Sequence, residues 1–182
     1  MCGNMDYDSL NKIITRSRIS TLTKKGIIAK TSYQGNSSKT KNEYTYKLTK
    51  KGIKFCRSKG MKHFEKGKGN ERHQTQVGKK YASLSSEEQI HCKNQFDQKE
   101  MLYDQAYLLQ EQGHQDEYEQ LLSDIQRASY VDLVYTTTME HQITTVGFEV
   151  ITKNYSYVDC LLHEETALEI LHCDYYETIN IH

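Results

Sequence analysis

The chain has 182 residues and a mass of 21.3 kDa, and its 24 basic and 24 acidic side chains cancel to a formal charge of zero. No run of about 18 apolar residues offers a membrane span, and the N-terminal MCGNMDYD lacks the basic stretch and apolar run of a secretory signal. Five scattered cysteines without a C-x-x-C pair fit reduced thiols in a cytoplasm better than a disulfide framework or a zinc ribbon. Neutrality itself is a cancellation. Residues 1–82 carry twenty basic and five acidic side chains, net +15, whereas residues 83–182 carry four basic and nineteen acidic, net −15. A basic block of that size points to a polyanionic partner, and the charge boundary argues for more than one structural unit.

Taken in chain order, residues 8–25 place Leu10, Ile13, Ile14 and Ser17 on one stripe, which Leu22 rejoins, at the spacing of a single amphipathic helix ended by Gly26. Lys12, Arg16 and Arg18 then fall on its solvent side. Residues 26–33 and 43–49 read as two strands, the second alternating Tyr44, Tyr46 and Leu48 on one face, joined by a polar turn over 34–42 that holds Lys39 and Lys41. Thr49 caps a further helix over 50–60. The hexapeptide LTKKGI occurs at 22–27 and again at 48–53, once ending a helix and once starting one, and is read as coincidence.

A helix, a two-stranded basic ribbon and a closing helix, carried by ISTLTKKGIIAKTSY and YTYKLTKKGIKF, resemble the distal part of winged helix-turn-helix proteins. The resemblance implies a helix in the major groove and a wing on the backbone or minor groove of double-stranded DNA. On that reading Asn11, Lys12, Thr15, Arg16 and Arg18 contact DNA from the helix, and Lys39 and Lys41 contact phosphate from the wing. Only about seven residues precede the helix, so a later segment or a second subunit must cover the Leu10, Ile13, Ile14 stripe, since each large apolar side chain left wet costs about 1.5 to 3 kcal/mol. A homodimer is therefore expected, and it would also suit palindromic half-sites.

Residues 57–72, with Gly60, Gly67 and Gly69 among basic side chains, read as a flexible connection, and residues 73–85 have weak helical character. Ser85 with Glu88 forms a capping-box pattern ahead of a helix that carries Ile90, Phe96, Met101, Leu102, Leu108 and Leu109 and runs to Gly113. A second helix over 117–129 buries Tyr118, Leu121, Leu122 and Ile125. The two make an antiparallel pair with acidic outer faces, suited to a dimer or to another protein and not to DNA.

From Tyr130 the pattern is β-β-α-β. Asp132, Glu149 and Lys153 stand out there, because Glu149, Ile151 and Lys153 share one side of a strand and a neighbouring strand brings Asp132 beside them. Two carboxylates and a lysine can bind Mg2+ and polarise a water against a phosphodiester. With Arg72-His73 after the connection, Val131-Asp132, Gly147 to Lys153, and Tyr155 or Tyr157 beyond, the chain resembles the replication-relaxation proteins of plasmids and other mobile elements. That resemblance implies a restriction-endonuclease-like core in the C-terminal part. The core is degenerate here, since Val131 stands where Pro is expected and Gly147 where a first Glu is expected. Cys160 with His163, and the pairs His91-Cys92 and His172-Cys173, lack the spacing of a zinc site, and no phosphate-cradling glycine loop occurs.

The expected protein is α+β. A winged-helix domain occupies 1–58, a basic linker 59–83, a helical pair 84–128 and a small α/β domain 129–182. Its expected role is duplex DNA binding without a cofactor, for replication, mobilisation or transcriptional control of a bacterial mobile element. A metal-dependent nuclease using Asp132, Glu149 and Lys153, with Asp132 and Glu149 on the metal, is the alternative. A third reading is a partner-binding adaptor whose acidic half mimics nucleic acid.

Overall fold

A computed structural model describes residues 4–33, 43–61 and 71–181. The chain is mixed α+β and divides into two compact units, the first ending at Gln89 and the second running Ile90–Ile181. No helix among the described residues is long and apolar enough to cross a membrane.

The first unit opens with β1 (Asn4–Asp6), α1 (Tyr7–Ile13) and α2 (Arg16–Lys24), followed by β2 (Ile28–Tyr33), β3 (Glu43–Leu48), α3 (Lys50–Ser58) and α4 (Glu71–Ser83). Its strands form an antiparallel sheet in the order β1-β3-β2. The single helix expected over 8–25 is two helices. Ile14 is extended at φ −135 and ψ 149, and Thr15 caps α2 by accepting the Arg18 amide at 3.4 Å. The run Ile13-Ile14-Thr15 is β-branched throughout and costly to hold helical, and a threonine hydroxyl offers the backbone a competing partner. Asp6 caps α1, accepting the Ser9 amide at 2.7 Å.

The linker expected over 59–83 also changes character. Residues 71–83 are α4, which packs on β1 and α1. Gly78 lies against β1, where a Cβ would stand 2.5 Å from the Asn4 carbonyl oxygen. Lys79 pairs with Asp6 at 3.6 Å, and Lys47 of β3 with Glu71 at 3.0 Å. The cover for α1 therefore comes from this chain, which removes the exposed stripe as a reason for a homodimer, although Ile13 stays 37% exposed.

The two LTKKGI copies meet. The Thr49 amide donates to the Ile27 carbonyl at 3.0 Å, its hydroxyl donates to the Gly26 carbonyl at 2.6 Å, and Lys51 Nζ reaches the Lys25 carbonyl at 2.8 Å. Gly26, at φ +66, turns the chain out of α2, and Gly52 leaves no room for a Cβ against the Ile27 carbonyl.

At the junction of the units, α5 (Ser86–His91) starts in the Ser85–Glu88 capping box, with the Ser85 amide donating to Glu88 at 2.6 Å. The second unit continues with β4 (Lys93–Asn94), α6 (Gln95–Glu111), α7 (Gln115–Arg127), β5 (Leu133–Met139), β6 (Gln142–Thr152), α8 (Tyr157–Glu165) with a π-helical turn over Thr166–Ile170, and β7 (Tyr175–Ile181). The one helix expected from Ser85 to Gly113 is broken at β4, because Asn94 and Asp97 form a second capping box that restarts it as α6. The sheet order is β4-β5-β6-β7. The first three strands are antiparallel, and β7 runs parallel to β6, which requires the α8 crossover. Leu102 and Ala106 of α6, Ile125 of α7, Val131, Val134, Ala167 and Ile170 form the core.

Candidate functional site

Each unit carries one candidate site. On α2 the buried side is Ile19, with Leu22 and Thr23 beside it, so helical geometry turns Ser17, Ser20, Thr21 and Lys24 outward with Arg16 and Arg18 on the flanks, all six exposed. The helix holds no acid. Thr21 donates to the Ser17 carbonyl at 3.0 Å, which leaves its oxygen as an acceptor. Exposed Lys50, Lys51, Lys54 and Arg57 on α3 add positive charge to the same unit.

Of the expected DNA contacts, Arg16 and Arg18 stand on α2, whereas Asn11 and Lys12 are exposed on α1. The Thr15 hydroxyl is committed to capping. Lys39 and Lys41 lie outside the described residues. Sequence reading passed over Ser17, Ser20, Thr21 and Lys24 because a continuous helix put Ser17 on the apolar stripe. The cap at Thr15 was the signal that resets the phase.

In the second unit, Asp132 lies just before β5 and Glu149 near the end of β6. The Asp132 amide donates to Glu149 Oε2 at 2.8 Å, and the Val150 amide donates to Asp132 Oδ2 at 2.9 Å. The β5–β6 register pairs Leu133 with Phe148, so one further rung would set Asp132 opposite Glu149. There the side chains take over from the backbone ladder. Both residues are buried, and their carboxylate oxygens lie within 4.8 Å of each other. Burial first, and the Asp132 charge second, push the Glu149 carboxyl up to about 9, although hydrogen bonds from the Tyr155 hydroxyl and the Asp132 amide pull the other way. Glu149 thus keeps its proton at neutral pH.

Tyr155 donates to Glu149 Oε1 at 2.6 Å, and burial followed by the Glu149 charge holds its hydroxyl well above the usual range. His163 lies with Nδ1 3.8 Å from Glu149 Oε2 and Nε2 3.1 Å from Ser129 Oγ, and its ring leans on Tyr155 at 5.3 Å. The Tyr176 hydroxyl is buried without a hydrogen-bond partner among the described residues and is raised by its burial and by Glu149. Ser129 and His163 are additions to the expected set, and of the two tyrosines in the expected motif it is Tyr155 that reaches Glu149. Lys153 is the loss. β6 ends at Thr152, and Lys153 turns out into solvent, so it does not continue the Glu149 side of the strand.

Two carboxylates at this separation supply hard oxygen ligands of the kind Mg2+ takes, with water for the rest of its shell. They fit a divalent cation only after Glu149 gives up its proton. His73 stands on α4 of the first unit. Comparisons with protein-family models, with curated proteins and with solved structures find no match for this chain.

Proposed function

We propose that the protein binds double-stranded DNA through its first unit, a winged helix-turn-helix in which α1 and α2 are the helix pair, α2 reads the major groove and β2 with β3 forms the wing. The observation that carries this reading is the outward face of α2. Three hydroxyls, a lysine and two flanking arginines are exposed together with no carboxylate among them, in a half of the chain with net charge +15. Arginine reads guanine bidentately, hydroxyls accept from or donate to base edges and phosphate, and the surrounding lysines supply sequence-independent attraction. Winged-helix proteins usually begin with one or two helices before the reading helix; here α1 is one, and α4 packs on it from the other end of the unit. The process served is replication, mobilisation or transcriptional control of a bacterial plasmid, phage or other mobile element.

Anisotropy of labelled duplex DNA, titrated at several salt concentrations, tests the reading. Affinity should fall steeply with salt, with a slope of several counterions. Arg16→Ala with Arg18→Ala should erase the preference for DNA recovered from the host. Weak binding that ignores salt overturns the proposal.

The approach of Asp132 and Glu149 favours one second reading, a divalent cation held in a restriction-endonuclease-like core for phosphodiester cleavage. The cation would polarise the scissile phosphate and activate water. In this chain Asp132 and Glu149 would hold it, and Tyr155 and His163 would orient Glu149. Plasmid nicking that requires Mg2+ or Mn2+ and vanishes in Glu149→Ala supports it, and equal activity in the variant rejects it.

A further inference from the structure

The cap at Thr15 decides which side chains a duplex meets on the reading helix. On one continuous helix over 8–25, Asn11 would accompany Arg16 and Arg18, and an asparagine amide pairs bidentately with adenine through N6 and N7. The extended residue Ile14 puts Asn11 on α1 instead, which in the proposed pair is the helix that crosses the backbone. What remains on α2 is RSRISTLTK, a helix without a side-chain amide or a carboxylate.

The exposed side chains of α2 are of two chemical kinds. Arg16, Arg18 and Lys24 carry donors only. Guanine is the one base that offers a pair of acceptors, O6 and N7, on its major-groove edge. Adenine sets its N6 amino group against the same side chains, so that donor meets donor and a desolvated group goes unpaired. Ser17, Ser20 and Thr21 discriminate little, because a hydroxyl both donates and accepts. The Thr21 hydroxyl already donates to the Ser17 carbonyl at 3.0 Å, and its oxygen suits the amino group of cytosine or adenine alike.

Placement along the helix adds a length. Arg16 and Arg18 stand in the first turn, the part of a reading helix that contacts base edges, and Lys24 ends the last turn. From Arg16 to Lys24 the axis rises about 12 Å, which matches about three to four base pairs at about 3.4 Å each.

We infer that the duplex selected by this chain carries guanine on its major-groove edge toward both ends of a stretch of about three to four base pairs, and that adenine is not read by hydrogen bonds. The inference rests on the DNA reading proposed above and narrows its substrate. Arg16, Arg18 and Lys24 set the sequence, the hydroxyls between them add contacts that most bases satisfy, and Asn11 faces phosphate.

Selection by the full chain from a pool of duplexes randomised at their centre, followed by anisotropy on the recovered duplex, is the test. The recovered motif should contain guanines, and 7-deazaguanine at those positions, which lacks the N7 acceptor but still pairs with cytosine, should weaken binding on the order of tenfold each. Substituting 7-deazaadenine at the adenines should leave affinity unchanged. Arg16→Gln and Arg18→Gln should each move one position of the motif from guanine to adenine, the base that glutamine reads. Lys24→Ala should relax a position at the other end, and Asn11→Ala should weaken all duplexes alike without altering the motif. Far-UV circular dichroism checks that the variants fold.

A motif of A·T pairs alone, 7-deazaadenine as costly as 7-deazaguanine, a motif unchanged by both glutamine variants, or one altered by Asn11→Ala would each overturn the inference and leave DNA binding standing. Steeply salt-dependent binding that recovers no motif overturns it in the same way. Absence of binding overturns the DNA reading, and the inference with it.

Discussion

Gly78 of α4 faces Asn4 of β1 so closely that a Cβ on the glycine would lie 2.5 Å from the Asn4 carbonyl oxygen and 2.9 Å from Met5 Cγ. Helix and strand meet backbone to backbone there. A glycine inside a helix ordinarily costs about 1 kcal/mol relative to alanine, so its presence is explained by the contact it permits.

Gly78→Ala is accordingly expected to reverse the usual sign. Where a helical alanine would normally stabilise, this one should destabilise the first unit by about 1 to 3 kcal/mol, because a carbonyl cannot give way as a side-chain tip can. Urea unfolding followed by circular dichroism measures it, and a variant more stable than the parent would show that α4 does not sit on β1.

Thr49→Ala removes a side chain that caps α3 by accepting the Gly52 amide at 3.0 Å and donates to the Gly26 carbonyl at 2.6 Å. A cap alone is worth about 1 to 2 kcal/mol. The loss should reach that range in thermal melts, and Thr49→Ser should restore most of it.

Glu149 sets a pH dependence of defined sign. Its carboxyl titrates at about 9 in the folded chain against an ordinary value of 4.5, so the folded state binds a proton that the unfolded state has released. The stability it contributes is fully present below 4.5 and is lost as pH rises toward 9. In chelator-treated protein, stability should decline between those limits. Glu149→Gln, which cannot ionise, should flatten the decline and gain on the parent at alkaline pH. Parallel curves for parent and variant would mean that Glu149 ionises normally.

The break at Ile14 divides the expected DNA contacts into two kinds. Arg18→Ala or Thr21→Val, on α2, should narrow the ratio of specific to non-specific affinity, with a loss of about 1 to 3 kcal/mol for the preferred duplex. Lys12→Ala, on α1, should weaken all duplexes alike and reduce the salt slope by about one counterion. Equal loss of discrimination from Lys12 and Arg18 would argue for one continuous reading helix.

Local signals in the sequence carried some elements and missed others. The alternation of Tyr44, Tyr46 and Leu48, the cap at Thr49, the Ser85 capping box and the turn at Gly26 depend on neighbouring residues and can be read directly. The break between α1 and α2 was hidden by an apolar spacing that continues across it, although Thr15 carried the information. α4 looked like a linker because its packing faces hold Gly78, Thr75 and Gln74, small or polar groups whose burial depends on partners distant in sequence. Asp132 and Glu149 could be paired from strand periodicity. Tyr155, His163 and Ser129 join them from a turn, a helix and the exit of another helix, and only the tertiary fold brings these together. Lys153 misled because strand periodicity was carried past the end of the strand.

The closure of β1 by α4 has a consequence in time. During synthesis, the first strand and the two helices after it leave the ribosome long before Glu71 follows, so Met5 and the inner side of α1 wait uncovered while the rest of the unit is made. Contacts between such distant segments are slow to form and leave apolar surface open to aggregation meanwhile. A nascent chain arrested before Glu71 should be a chaperone client, and one arrested after the whole of α4 has emerged should resist protease.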